Sequence, residues 1–142
     1  MKSIKQVLDA KGRAVWSVAP GDSVFQAMQL MADKEVGALL VLDDGKPRGL
    51  VSERDYARKI ILMGRSSRDT TVEQIMEPRF LCVRPSQTVE EGMALMTEKR
   101  VRHLPVLEDD KVEGIVSIGD LVKAVIEDQQ FIIEQLENFI SG

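Results

Sequence analysis

The sequence predicts an α+β fold in which one unit is used twice. Three observations carry this. A gap-free internal match runs from Val18–Tyr56 onto Val83–Leu121 at an offset of 65 residues, with 17 identities in 39 positions. Helix-start signals recur at matching places, followed by apolar stripes of helical spacing. Each copy then carries two β-rich stretches flanking turn residues, the pattern of a hairpin.

Taken in order, Ser3-x-x-Gln6 and Thr71-x-x-Gln74 are capping-box patterns that open two short lead-in helices, related at an offset of 68 rather than 65. The first copy therefore has three extra residues, within Asp9–Ala14. An extended entry segment ends at Pro20 or Pro85. Ser23-x-x-Gln26 and Thr88-x-x-Glu91 open the next helices. Val24, Ala27, Met28 and Met31 share one helix face, as do Val89, Met93 and Met96, and this spacing makes the methionines core residues. The stretch Gly37–Leu42 turns at Asp43-Asp44-Gly45-Lys46 and returns as Gly49–Ser52. Leu104–Leu107 turns at Glu108–Lys111 and returns as Gly114–Ser117. A helix follows from about Glu53 and from about Ile118. The expected unit is helix, hairpin, helix with an extended entry strand, and two such units can pack sheet against sheet about a pseudo-twofold axis. By chain order the organisation is repeat 1 with the N-terminal helix over 1–64, a polar linker over 65–71, repeat 2 over 72–127, and a C-terminal amphipathic helix over 128–142, its apolar positions at 132, 133, 136, 139 and 140.

Composition bounds the function. The 142 residues suit one compact domain or two small ones sharing a core, with 44 % apolar and 30 % charged residues. A net charge of −4 gives no global basic field for nucleic acid. No apolar stretch approaches a membrane span, and the N-terminus lacks a signal-peptide pattern, so the expected location is cytoplasmic with no membrane partner. Cys82 is the one cysteine, and its run Phe80-Leu81-Cys82-Val83 reads as buried. No P-loop, no Ser-His-Asp set and no metal-ligand cluster is present, so the chain reads as a non-enzyme without metal or catalytic cofactor.

Chemistry concentrates at two matched places. Ser52-Glu53-Arg54-Asp55 and Ser117-Ile118-Gly119-Asp120 each take a strand into a helix. Ser can cap the helix and Asp can complement its N-terminal dipole. The same arrangement attracts phosphate, and the aspartate can accept hydrogen bonds from two vicinal ribose hydroxyls. Lys99-Arg100-Val101-Arg102-His103 places cations before a strand where the first copy has Lys34-Glu35-Val36-Gly37-Ala38. One copy thus carries charge where the other leaves room.

On these residues the chain resembles a stand-alone pair of CBS domains, a Bateman module, over about residues 3–127. The resemblance implies a β-α-β-β-α unit, a disc-shaped pseudo-dimer, and adenosine ligands in the cleft between the copies. AMP leads, with ATP, ADP, NAD(H) and S-adenosylmethionine as the family's other ligands. Carried over by position, Asp120 would hold the ribose, with Ser117 near it. Gly37, Ala38 and Val18 would flank the adenine, and Arg102 and His103 would meet phosphate, with Ile115 lining that site. The related site would use Asp55, Ser52 and Arg54, with Leu50 and Val83 around the base. Leu40 against Pro105, and the missing cation at Gly37-Ala38, depart from the family pattern and make the two sites unequal. The implied function is a regulatory adenine-nucleotide-binding module, a homodimer acting on an unidentified protein. The alternative is a structural interaction module with no nucleotide ligand.

Overall fold

The computed structural model describes residues 2–141. The elements follow in order as α1 (Ile4–Lys11), β1 (Ser17–Val18), α2 (Val24–Lys34), β2 (Ala38–Asp43), β3 (Lys46–Ser52), α3 (Glu53–Tyr56) continuing into a π-helical turn over Ala57–Ile61, α4 (Val72–Ile75), α5 (Val89–Lys99), β4 (His103–Glu108), β5 (Lys111–Ser117) and α6 (Ile118–Ser141). The four predicted capping boxes all form, with Ser3, Ser23, Thr71 and Thr88 each paired to the side chain three residues on. Each box satisfies amides that a helix start otherwise leaves unpaired.

The chain divides into two units, Ala14–Phe80 and Met1–Arg13 with Leu81–Gly142. In the first, β1 pairs parallel with β2, and β2 pairs antiparallel with β3. Asp44 (φ 51°) and Gly45 (φ 77°) make the turn with two left-handed residues, which matches the twist of the flanking strands. The core gathers Val18, Val24, Ala27, Met31, Leu39, Val41, Val51, Ile60, Val72 and Ile75. In the second unit, β4 pairs antiparallel with β5, and Val83 makes the single parallel bridge to Val106 that corresponds to β1. Both hairpins shift register at the same place, after Val41 and after Val106. The duplication thus extends to the irregularity of the strands.

Three features depart from the sequence expectation. The N-terminal helix, counted with the first copy by chain order, packs with the second: Ile4, Val7 and Leu8 belong to the same core as Val89, Leu104, Val106, Val116 and Leu121. Conversely α4, the lead-in of the second copy, packs in the first, where Val72 and Ile75 are fully buried. Two glycines show why. A Cβ on Gly114 would stand 2.7 Å from a Leu8 methyl carbon, and one on Gly49 would stand 2.8 Å from Met76 Sδ and 2.9 Å from the Glu77 carbonyl oxygen. Each hairpin is bare at its glycine, and the lead-in counted with the other copy lies on it. Second, Cys82 is exposed, because period-2 alternation turns it away from the face that buries Val83. Third, the C-terminal helix does not begin at 128. It is one continuous helix from Ile118, since nothing after Gly119 breaks the pattern. Leu121 and Ala124 bury its first turns, while Ile126, Ile132, Ile133, Leu136, Phe139 and Ile140 stand exposed.

The segment joining the copies is mostly exposed but tethered. Arg68 lies 3.8 Å from the centre of the Phe25 ring, and the Ser67 and Thr70 carbonyls accept from the Phe25 and Val24 amides.

Gly49→Ala is expected to cost about 1–3 kcal/mol of unfolding free energy by overpacking. It should cost more than Gly114→Ala. At Gly49 the obstruction is a backbone carbonyl fixed by paired hydrogen bonds between Leu50 and Glu77, 3.0 and 2.8 Å long. At Gly114 it is a side-chain methyl. Urea denaturation of the two variants measures the difference.

Candidate functional site

Each unit builds the same strand-to-helix corner. In the Leu81–Gly142 unit, the Ser117 amide donates to Asp120 Oδ2 at 2.8 Å, and the Asp120 amide donates to Ser117 Oγ at 3.1 Å. In the Ala14–Phe80 unit, the Ser52 amide donates to Asp55 Oδ2 at 2.9 Å, and the Asp55 amide to Ser52 Oγ at 3.3 Å. The Ser-x-x-Asp motif is therefore a reciprocal capping box in both copies. That bonding also fixes the carboxylate. Each aspartate commits one oxygen to the corner and holds a definite rotamer.

The preceding strand closes the corner. The Arg102 carbonyl accepts from the Ile118 amide at 2.9 Å, and the Gly37 carbonyl accepts from the Glu53 amide at 3.1 Å. His103 is paired across the hairpin with Ser117, and Ala38 with Ser52. The predicted exchange of small for basic residues thus lies directly beside the two anchors. Arg102 is exposed and His103 half-buried, whereas Ala38 is buried. Of the remaining predicted residues, Val18 and Val83 are buried in the entry segments of their respective units. Leu50 stands opposite Leu40, and Ile115 opposite Pro105. Arg54 lies in the first turn of α3, exposed. Thus Ser117, Asp120, His103, Arg102 and Ile115 come together in one unit, and Ser52, Asp55, Gly37, Ala38 and Leu50 in the other.

Two residues that the sequence motifs do not include join these corners. Lys11, the last residue of α1, donates to Asp120 Oδ2 at 2.5 Å and to the Ile115 carbonyl at 2.8 Å. Lys59 stands 3.4 Å from Asp55 Oδ1 and donates to the Ile75 carbonyl at 2.8 Å. The second has a signal in its i, i+4 spacing from Asp55. The first has none, because it reaches Asp120 from 109 positions away. A hollow of about 330 Å³ lies beside this contact, bounded by Lys2, Gln6, Lys11, Asp120, Lys123 and Glu127 among others.

The electrostatics follow from this packing. Burial lowers the His103 pKa, helped by the positive charges of Lys11 and Arg102 and opposed by Asp120. Burial alone would raise the Asp120 carboxyl, but the Lys11 ammonium and the Ser117 amide and hydroxyl outweigh it and hold the group below the usual aspartate range. Near neutral pH the corner therefore presents a neutral imidazole beside an ionised carboxylate. Among the described residues no group of three or more His, Cys, Asp or Glu side chains could hold a metal ion, and no helix is long and apolar enough to cross a membrane.

Comparison with known proteins locates this architecture. Residues 7–62 and 72–127 each match the family model described as the CBS domain. The chain is 39 % identical over 150 aligned residues to the mitochondrial CBS domain-containing protein CBSX3 of Arabidopsis thaliana, covering 99 % of this chain and 72 % of that protein. The solved structure of a protein with CBS domains from Burkholderia ambifaria superposes with a TM-score of 0.87 at 52 % identity, covering 90 % of this chain and 96 % of that one. The CBS domain pair of protein MJ0100, solved with 5′-methylthioadenosine and S-adenosyl-L-methionine, shares the fold with a TM-score of 0.80 at 19 % identity, covering 90 % and 98 %.

A histidine with a depressed folded-state pKa binds its proton first in the unfolded chain. Acid therefore favours unfolding, from about pH 6.5 down to the folded value. Thermal melts from pH 7.5 to 5.5 should show a falling Tm, and His103→Ala, which installs the residue of the matched position Ala38, should flatten that slope.

Proposed function

The chain belongs to the CBS-domain family, and we propose that it is a non-catalytic regulatory module that binds an adenine nucleotide, AMP foremost, with ATP, ADP and NAD(H) as the further candidates. The observation that carries this reading is the duplicated corner. A carboxylate is held by its own capping box, with an oxygen left to accept from a vicinal diol, beside a cation-bearing strand start. In this reading Asp120 anchors the ribose hydroxyls, Ser117 supports it, and Arg102 and His103 serve the phosphate. Asp55 and Ser52 form the corresponding anchor of the other copy, with Arg54 near it. Ile115 lies on the strand that leads into Ser117, and Ala38 and Leu50 lie on the hairpin that leads into Ser52. A protein of the same fold that carries adenosine compounds is in keeping with this. Pairs of CBS domains are regulatory modules, and the two corners differ in charge, so the two anchors would differ in affinity. Binding then acts by shifting an equilibrium between states of the protein, to be read by a partner.

A second reading, association through α6, has its own observation. Val122, Ile126, Ile133, Leu136 and Ile140 fall at the alternating four- and three-residue steps of a helix-pairing seam, with Gln129 as the one polar place in it. Ile132 and Phe139 widen the stripe, and these side chains run from 39 % exposed at Val122 to 84 % at Phe139. Together they expose an area on the order of the ~800 Å² that each partner gives to a standard interface. That is more than a monomer surface usually tolerates. The seam is self-complementary, and Glu127, Asp128, Glu134 and Glu137 lie off its central a and d positions. We take a second copy of this chain as its occupant, which makes the protein a homodimer. This role adds to nucleotide binding and does not replace it.

Isothermal calorimetry should show saturable AMP binding in the micromolar to millimolar range, and Asp120→Ala should weaken the affected site at least tenfold. Absence of any adenine-nucleotide binding at millimolar concentration would sink the reading. Light scattering should report a dimer that Ile133→Glu with Leu136→Glu converts to a monomer. A chain ending at Gln129 should lose association and keep nucleotide binding.

A further inference from the structure

The Asp120 carboxylate carries a tight ion pair, and its counterpart does not. Lys11 arrives on a docked helix, held by buried Ile4, Val7 and Leu8, and its ammonium donates to Oδ2, the same oxygen that accepts the Ser117 amide. At Asp55, Oδ2 accepts from the Ser52 amide and hydroxyl, and Lys59 approaches the other oxygen at 3.4 Å. The Lys11–Asp120 pair is partly sheltered, with side chains 34 % and 24 % exposed. His103 stands close enough to feel both members of this pair.

A hydroxyl pair that spans both carboxylate oxygens finds Oδ1 open but must compete with that ammonium at Oδ2. Moving a sheltered ammonium off its carboxylate is unfavourable unless it gains another acceptor. Lysine has a flexible four-carbon stem and can swing to a new anion. A neutral nucleoside offers none, whereas a phosphorylated one brings it. We infer that Lys11 sets the charge preference of the Asp120 anchor, by holding the carboxylate against neutral nucleosides and yielding it to ligands that carry a phosphate. Lys11 is thus a specificity-determining residue outside both copies of the Ser-x-x-Asp motif. The inference rests on the nucleotide reading of Asp120.

The full chain supplies its own reporter. His103 is the single histidine in the sequence, and it is the strand partner of Ser117. Its ring protons lie beside this anchor, and their NMR signals report ligand binding there. Adenosine and AMP are titrated into the wild type, Lys11→Met and Lys11→Arg. The wild type should prefer AMP. Lys11→Met should bind adenosine about fivefold tighter, the size of a lost partly exposed ion pair, with AMP bound no tighter. The AMP-to-adenosine ratio then contracts about fivefold, and Lys11→Arg restores it. An unchanged ratio in Lys11→Met, with binding intact, overturns the inference and leaves the nucleotide reading standing. Weakening of AMP alone overturns it in the same way, because Lys11 is then a phosphate contact that does not compete for Asp120. A lower Tm with both affinities unchanged makes Lys11 structural, which also overturns it. Failure of both ligands to bind either protein removes the inference and the nucleotide reading together.

Discussion

The contact on which most of this architecture depends is the lead-in segment lying against a glycine of the hairpin. A two-stranded hairpin is marginal by itself, because one face of each strand has nothing to bury it. Here the uncovered place is Gly114 in one copy and Gly49 in the other, and the covering groups are Leu8 in one case and Met76 with the Glu77 backbone in the other. A side chain at either glycine would hold the lead-in away, and the apolar residues it brings would lose their partners. Leu8, Ile4, Val72 and Ile75 are all fully buried, so the loss would reach the middle of each core. Because each copy is covered by the lead-in of the other, neither copy as counted in chain order is complete. The duplication is exchanged: Ala14–Phe80 contains its covering segment, while Leu81–Gly142 takes its own from Met1–Arg13.

That exchange also decides the chemistry of the corners. The Ser-x-x-Asp box is a local device: four residues satisfy one another and point a carboxylate in a set direction. Symmetry guarantees two such boxes and nothing more. What distinguishes them comes from elsewhere in the chain. The last turn of α1 brings Lys11 to Asp120, a residue the box itself could not recruit. At Asp55 the cation comes from the helix that the box begins, four residues on, and keeps its hydrogen bond for the Ile75 carbonyl. On the proposed reading, capping and ligand anchoring are one interaction with two uses. A carboxylate already ordered by its own backbone loses little freedom when it accepts a further donor.

What is legible in the sequence is what is local. Capping boxes span four residues, hairpin turns span four, and the stripe Val24, Ala27, Met28, Met31 spans two helical turns, so each leaves its pattern in a short window. The repeat adds confirmation, since every local pattern occurs twice. The exchange of lead-ins is not legible. Leu8 and Gly114 are remote in sequence, and chain order alone assigns α1 to the wrong copy. The exposure of Cys82 is hidden for a different reason: an unbroken apolar run conceals strand alternation, and only pairing shows which face is buried. The extent of α6 is hidden because the family resemblance stops near residue 127 while the helix has no reason to stop there. Helix propagation obeys the next residue and not the boundary of a repeat.

The continuity of α6 has a consequence for how a signal could leave the anchor. Asp120 lies in the first turn of the same 24-residue helix that ends in the exposed apolar seam. A helix transmits displacement along its axis because its hydrogen bonds resist bending, and no proline or glycine interrupts the stretch between Leu121 and Ser141. Lys11 and Lys2, both borne on or beside α1, are tied to Asp120 and Glu127, about two turns apart on that helix. Any ligand that releases Lys11 loosens one of these two ties and leaves the other as a pivot. On the proposed reading, the coupling between the anchor and the seam is a change in how α1 grips α6. It needs no pathway of remote contacts, because one helix carries the proposed anchor at one end and the exposed apolar seam at the other.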